Sequence, residues 1–356
     1  MSALLSLRRV AVTWTVVGAA GLAVGGAPPA ASADQRPESP PESEERGVVT
    51  FQYENDLLVG TDRYYTNGVR LSYTSPRLRN QLPLAADALE WLYPFDSGAD
   101  ARLGISLGQS MFTPGDIEVS ELIVDDRPYA GWLYAGVSLN VEATQNAFGT
   151  QYKTLDAIEV ELGVVGPASL AEQTQKFVHK IVGSPEPQGW DNQLHNEPGL
   201  LIVLERKVRT PPLSLGAVQA DAIPSLSVSL GNVETSGGLG SVIRLGQGLD
   251  VDYGPPTIRP NLAGRTFFER APRPFNWYFF VGAEGRLVGR DIFLDGNTFR
   301  DSHSVDKNWV VGTFQAGVAA SYRDLRFTFS YIARSREFEG QDSPDQYGAV
   351  SVSYRF

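Results

Sequence analysis

Five oxygen-bearing side chains crowd one turn of the stretch FQYENDLLVGTDRYYTNGVRLSY: Glu54, Asn55, Asp56, Asp62 and Thr66. A tight hairpin needs only a glycine or an asparagine at its corner. Carboxylate, amide and hydroxyl oxygens at this density, with no lysine among them, can hold a hard cation or orient a polar substrate. A second group lies far along the chain, in GPASLAEQTQKFVHKIVGSPEPQGWDNQLHNEPG, residues 166–198. It carries His179, one of only three histidines. An imidazole titrates near neutrality and suits general-base chemistry.

The elements that must aim these groups are legible. Ser169 and Glu172 stand at capping-box spacing and Gly183 stands where a helix would stop, which predicts a short helix between them. On it Glu172, Gln175 and His179 share one face, and Phe177, Val178 and Ile181 form an apolar flank. Around the oxygen-rich turn the pattern is strand. Val49, Phe51 and Tyr53 alternate with Thr50, Gln52 and Glu54, and the same period-two alternation recurs to the last segment, QYGAVSVSYRF. By that parity Glu54, Asp56 and Thr66 share the interior face, with Asn55 opposite.

Twelve strands are predicted: 47–56, 66–76, 101–110, 130–142, 152–165, 199–209, 218–232, 239–248, 276–288, 309–322, 325–335 and 346–356. A soluble sandwich would alternate too, but three features favour the opposite arrangement. Arg8 and Arg9 precede a short apolar run that ends at Ala31-Ser32-Ala33, the pattern of a cleaved export signal. The chain has no cysteine, which excludes disulfides, thiolate metal sites and cysteine nucleophiles. It also ends on an aromatic, Phe356. The expectation is therefore all-β: a transmembrane antiparallel β-barrel of about twelve strands with one short helix in an extracellular loop, apolar side chains toward lipid and polar ones toward the lumen. Residues 1–33 read as signal peptide, 34–46 as a disordered mature N-terminus rich in Pro, Glu and Ser, and 47–356 as the barrel.

An even strand count leaves both ends of the barrel on the periplasmic side and places the connections 57–65, 111–129, 166–198, 289–308 and 336–345 outside. All three polar clusters, including DDRPYAGWLY at 125–134, then fall at the outer rim. Arg127, Pro128 and Tyr129 read as rim anchors, Trp190 as a packing or interfacial aromatic, and His195 and His303 as surface residues. The segments 77–100 and 249–275 are long for periplasmic turns and imply extra structure there. The net charge of −11 is a poor match for nucleic acid. The GISLG run at 104–108 fits G-x-S-x-G, but that elbow requires a strand-to-helix turn. Ser106 falls in mid-strand and reads as a small lumen residue.

The END…TDRYYTNG turn, the DDRPYAGWLY segment and the GVVGP…QTQKFVHKIVG…GWDNQL loop together resemble the outer-membrane lipid A 3′-O-deacylase (LpxR-like) family. The motifs cover most of residues 47–200, and the remainder matches by barrel pattern and length. The resemblance implies a twelve-stranded barrel in the bacterial outer membrane that hydrolyses an acyl ester of lipid A with Ca²⁺. Its partner is lipid A or lipopolysaccharide of the outer leaflet, with no protein partner implied. Catalytic positions carry over to His179 as general base, with Asn55 and Thr66 as orienting or oxyanion groups and Gln175 one turn before the histidine. Asp56 carries over as metal ligand. Where the family has an acidic residue six positions after the histidine, this chain has Pro185, and the adjacent Glu186 becomes the second expected metal ligand. The loop 111–129 is acidic where a lipid phosphate would favour basic groups. Two other functions share this scaffold: a non-catalytic barrel acting as a channel or in surface interactions, and a hydrolase of glycerophospholipid.

Overall fold

The computed structural model describes residues 46–356 except 60–63, 79–99, 148, 257–267 and 270–272. The expected signal segment, the terminus up to residue 45, Asp62 and most of 77–100 lie outside the described residues. Strands are β1 (Val48–Asn55), β2 (Tyr64–Thr74), β3 (Asp100–Thr113), β4 (Ala130–Ala147), β5 (Thr150–Val165), β6 (Glu197–Arg209), β7 (Leu213–Leu215) and β8 (Val218–Gly231). They continue as β9 (Glu234–Gln247), β10 (Phe275–Asp291), β11 (Val310–Tyr322), β12 (Leu325–Arg334) and β13 (Asp345–Arg355). Apart from β6 and β7, sequential strands pair antiparallel; β1 pairs β13 and β6 pairs β8, so twelve strands close into a barrel. The short β7 only extends a turn, pairing Leu213–Leu215 against the start of β8. Closure satisfies the strands' backbone groups from within, as a lipid environment demands.

The strands form because their alternation fits a wall between lipid and a polar interior. Along β1, Thr50, Gln52 and Glu54 are buried in the lumen while Phe51 is 46% exposed. Leu107, Val137 and Leu162 are exposed on neighbouring strands. This apolar-outside pattern is the reverse of a soluble sandwich. Inside, charges neutralise one another. Arg70 pairs with Glu159, and Ser106 donates to that same carboxylate at 3.1 Å, so it is the lumen residue expected of it.

Among the described residues, charged side chains and loop segments pack into both ends of the lumen. At the outer end Arg127, fully buried, donates to Glu337 at 3.3 Å, and Arg334 donates to the other carboxylate oxygen at 2.7 Å. Arg127 thus pins the rim. At the opposite end the described part of the long 249–275 segment turns inward. Asp252 meets Arg326 at 3.0 Å and Arg244 at 2.5 Å, and Tyr253 donates to Glu142 at 3.0 Å. The expected extra structure is, in its described part, a plug.

One helix of note, α1 (Ala171–Val182), lies between β5 and β6. It ends as predicted: Gly183 adopts φ 76° and its N–H bonds the His179 carbonyl. Its start differs. Pro167–Ser169 form a 3-10 turn, Leu170 caps the helix in a left-handed conformation, and no side chain caps it. The early turn consumes Ser169, so the Ser169–Glu172 box does not form. The buried face is Ala171, Gln175 and His179, at four-residue spacing. Glu172 instead pairs with Lys176 at 2.9 Å.

Candidate active site

Pairing register places one row of residues side by side across the outer end of the wall. Gly348 of β13 faces Asn55, Asn55 faces Asn67, Asn67 faces Met111, and Met111 faces Gly131. Asn55 lies four residues beyond Phe51, and Met111 four beyond Leu107. Both therefore belong to the outward, lipid-facing side. Yet Asn55 and Asn67 are each 3% exposed. Side chains that should meet lipid are covered by protein.

Two pieces of chain cover them. The 3-10 turn Asp56–Val59 folds back so that Leu58 lies where a Cβ on Gly348 would stand, 2.6 Å away. On the other flank α1 lies directly on the wall. A Cβ at Gly131 would fall 2.3 Å from the Ala171 Cβ and 2.0 Å from Ser169 Oγ, so only glycine admits the helix at this distance. Met111, Tyr129, Ala171 and Trp190 form one apolar cluster beneath it.

Thr66 reaches this flank through a bulge. The β2–β3 register shifts between Tyr65 and Asn67, so Thr66 is the extra residue. An extra residue puts two successive side chains on one side of the strand. Thr66 Oγ1 accordingly lies 2.7 Å from Oγ1 of Thr113, an outward residue of β3, and its carbonyl accepts a 2.9 Å bond from Asn55 Nδ2. The interior position that parity assigns to Thr66 is therefore corrected. Asp56 likewise escapes strand parity, because β1 ends at Asn55 and Asp56 opens the 3-10 turn. Asp56 is fully buried, and Tyr53 links it to the row by bonding Asn67 while lying within electrostatic reach of Asp56.

The helix contributes the titratable group. His179, 3% exposed, has Nδ1 2.6 Å from the Pro185 carbonyl. A carbonyl only accepts, so Nδ1 carries the proton and the neutral ring keeps its lone pair on Nε2. Gln175, one turn earlier, accepts a 2.7 Å bond from Trp190 Nε1. Trp190 packs on Tyr129 with ring centroids 4.9 Å apart, and Tyr129 donates to Ile117 O at 3.2 Å. The helix loop and the 111–129 loop are thereby tied together.

A family model described as "Outer membrane protein LpxR" matches residues 16–356. The chain belongs to the LpxR family, and is an outer-membrane protein. LpxR from Salmonella typhimurium is a similar solved structure, with TM-score 0.68 at 20% identity over 87% of this chain and 100% of that one. That likeness is one of fold. More distant barrels include the translocator domain of autotransporter NalP from Neisseria meningitidis (TM-score 0.39, 13% identity, 88% and 90% covered). The β domain of the Bordetella autotransporter BrkA is another (TM-score 0.42, 10% identity, 88% and 99% covered). No curated protein matches the sequence.

In this LpxR-family chain the motif residues fall into two groups and one outlier. Asn55 and Thr66 are joined directly, with Asp56 at the end of the same strand. Gln175 and His179 share the helix face that packs on the same outer wall. Glu186 stands apart. Its side chain is 65% exposed and approaches Lys176 at 3.9 Å. The preceding Pro185 turns its carbonyl to His179, and the next side chain points to the surface. Among the described residues no three His, Asp or Glu side chains converge at metal-ligand spacing.

Two acids of the 111–129 loop serve their own backbone: Asp126 accepts from Gly115 N and Arg127 N, each at 2.7 Å, and Asp116 from Glu118 N at 3.0 Å. Sequence reasoning passed over Asn67 and read Trp190 only as a packing or interfacial aromatic, which its contact with Tyr129 agrees with. Asn67 sits inside the TNG turn signal, where an asparagine needs no further explanation, and the partner of Trp190 is visible only once the loop is folded.

Proposed function

We propose that this chain is an outer-membrane hydrolase that removes a 3′-linked acyl chain from lipid A by attack of a His179-activated water. The observation that carries this reading is the location of the polar row. It lies on the lipid-facing flank of the wall, on which α1 also packs, the side that a lipid of the outer leaflet meets.

His179 holds its Nδ1 proton against Pro185 and takes the proton of a water at Nε2 as that water attacks the ester carbonyl carbon. Asn55, steadied by the Thr66 carbonyl, and Thr66, steadied by Thr113, orient the ester. The Gln175 amide, held by Trp190, offers its N–H to the carbonyl oxygen as negative charge develops there. Collapse of the tetrahedral intermediate breaks the bond to the sugar oxygen. The imidazolium returns its proton to that oxygen, leaving a free fatty acid and a hydroxyl.

The donor set suits Ca²⁺ in kind: Asp56 supplies a buried carboxylate, and the buried amide oxygen of Asn67 has no hydrogen-bond partner among the described residues. Asp56 and Asn67 would hold the ion, with Glu186 too exposed to join them in this conformation. A bound Ca²⁺ would supply positive charge opposite the developing oxyanion.

The test is incubation of refolded residues 34–356 with purified lipid A, in Ca²⁺ or in EDTA, read by mass spectrometry for loss of the 3′ acyl group. Loss in wild type with Ca²⁺, and none in His179→Ala, is the expected result. No loss from a folded wild-type barrel would reject the reading in favour of another lipid or a barrel without catalysis.

A further inference from the structure

The face of α1 opposite His179 is apolar and exposed. Phe177 is 65% exposed, Ile181 68% and the capping Leu170 53%. Leu170, Phe177 and Ile181 recur at helical spacing and form one stripe, with the buried Ala171, Gln175 and His179 on the other side. An amphipathic helix of a soluble protein turns its apolar face to the core and its polar face to water. Here a polar face carrying an amide and an imidazole is against the protein, and the apolar one is outside. A cluster of this kind marks a docking surface, which single exposed apolar residues do not.

Its position names the occupant. Because α1 rests on the outward side of Gly131 and Met111, its far face looks away from the barrel axis, in the direction of the lipid-facing side chains below it. On β4 the outward residues run from Gly131 through Leu133 and Ala135 to Val137, and Leu162 of β5 lies opposite Ala135. The stripe on α1 continues that band toward the outer rim. Lys180 borders it, with a stem long enough to lie along apolar surface and carry its charge to headgroup level.

We propose that the Leu170–Phe177–Ile181 stripe is a membrane-docking surface that seats α1 in the outer leaflet, at the boundary of headgroups and acyl chains. The docking stands independently of catalysis. Its consequence for the enzyme rests on the function proposed above: the helix holds His179 at the depth where acyl esters of the leaflet lie, and presents one without extracting the lipid.

The absence of cysteine permits a direct test. A spin label on Phe177→Cys is uniquely placed, and its collision with oxygen, which partitions into lipid, is compared with collision with an aqueous nickel chelate. The barrel is reconstituted in vesicles of phosphatidylethanolamine and phosphatidylglycerol. Leu107→Cys on the barrel wall serves as the lipid reference and Asp301→Cys in an exposed loop as the aqueous one. The proposal expects Phe177 to behave as Leu107 does. Nickel access equal to that at Asp301 overturns it, and so does protection from both reagents, which would mean a protein partner. In the hydrolysis assay Phe177→Ser with Ile181→Ser should slow turnover of vesicle-borne substrate at least about tenfold and leave detergent-dispersed substrate unchanged. An inactive wild type would reject the proposed function alone, because the label experiment would still decide docking.

Discussion

Trp190 donates its indole N–H to the side-chain oxygen of Gln175 across 2.7 Å, and both side chains are 1% exposed. Since indole nitrogen only donates, the bond decides which end of the amide is which. The Gln175 nitrogen is left buried with no acceptor among the described residues, and a buried donor without a partner is costly unless something else receives it. In the reaction proposed above, the oxygen of a bound ester would receive it.

Trp190→Phe keeps the ring against Tyr129 and removes only the donor. It should lower kcat by about 10- to 100-fold, less than the loss of about 100- to 1,000-fold seen when an oxyanion donor is removed outright, and leave KM nearly unchanged. Adding Gln175→Ala should cost little more. Steady-state kinetics on the folded single and double variants measure this. An unaltered kcat would return Trp190 to a packing role.

Gly131 sets the distance between the helix and the wall. Gly131→Ala places a methyl group 2.3 Å from the Ala171 Cβ, so α1 must lift. A displacement on the order of 1 Å at a catalytic group costs about 100-fold in rate. Hydrolysis should fall by about that factor, while heat-modifiable migration in gels shows an intact barrel. Full activity would mean that α1 adjusts without moving its titratable face.

His179 depends on its partner as well as on its identity. His179→Ala should lower turnover by at least about 100-fold, within the range for loss of a general base. His179→Gln retains polarity but cannot take a proton and should be no better. Recovery of activity in the glutamine variant would exclude proton transfer at this position.

Glu337, in the loop between β12 and β13, makes the rim sensitive to acid. Burial alone would push its carboxyl up, but Arg334, Arg127 and Arg286 hold it down to about 2. A folded value below the ordinary carboxyl range near 4.3 means stability that is complete above that range and is lost as pH falls toward about 2. The unfolding temperature should therefore drop between pH 5 and pH 3. Glu337→Gln leaves buried guanidinium groups unpaired, should cost about 3–5 kcal/mol at neutral pH, and should flatten the acid dependence. An unchanged dependence in that variant would assign it to other carboxylates.

The sequence by itself determined the wall. Alternation along each strand is a local property, and exposure of Phe51 beside buried Gln52 follows from it wherever one side of the wall is lipid. The end of α1 was equally local, because Gly183 at φ 76° is a conformation a glycine adopts without strain. The motif residues Asn55, Thr66, Gln175 and His179 were legible as types at recognisable spacing. Only the tertiary structure decided which side of the wall they face. Parity assigned Thr66 to the interior, and one unpaired residue in the β2–β3 register moved it outside, since an insertion of one reverses a period of two. The helix start was lost to a 3-10 turn at Pro167, and Glu186 was directed outward when the carbonyl before it was taken by His179. The exposed stripe on α1 has the same origin: the helical pattern shows two faces, and packing against Gly131 determines which of them meets the barrel.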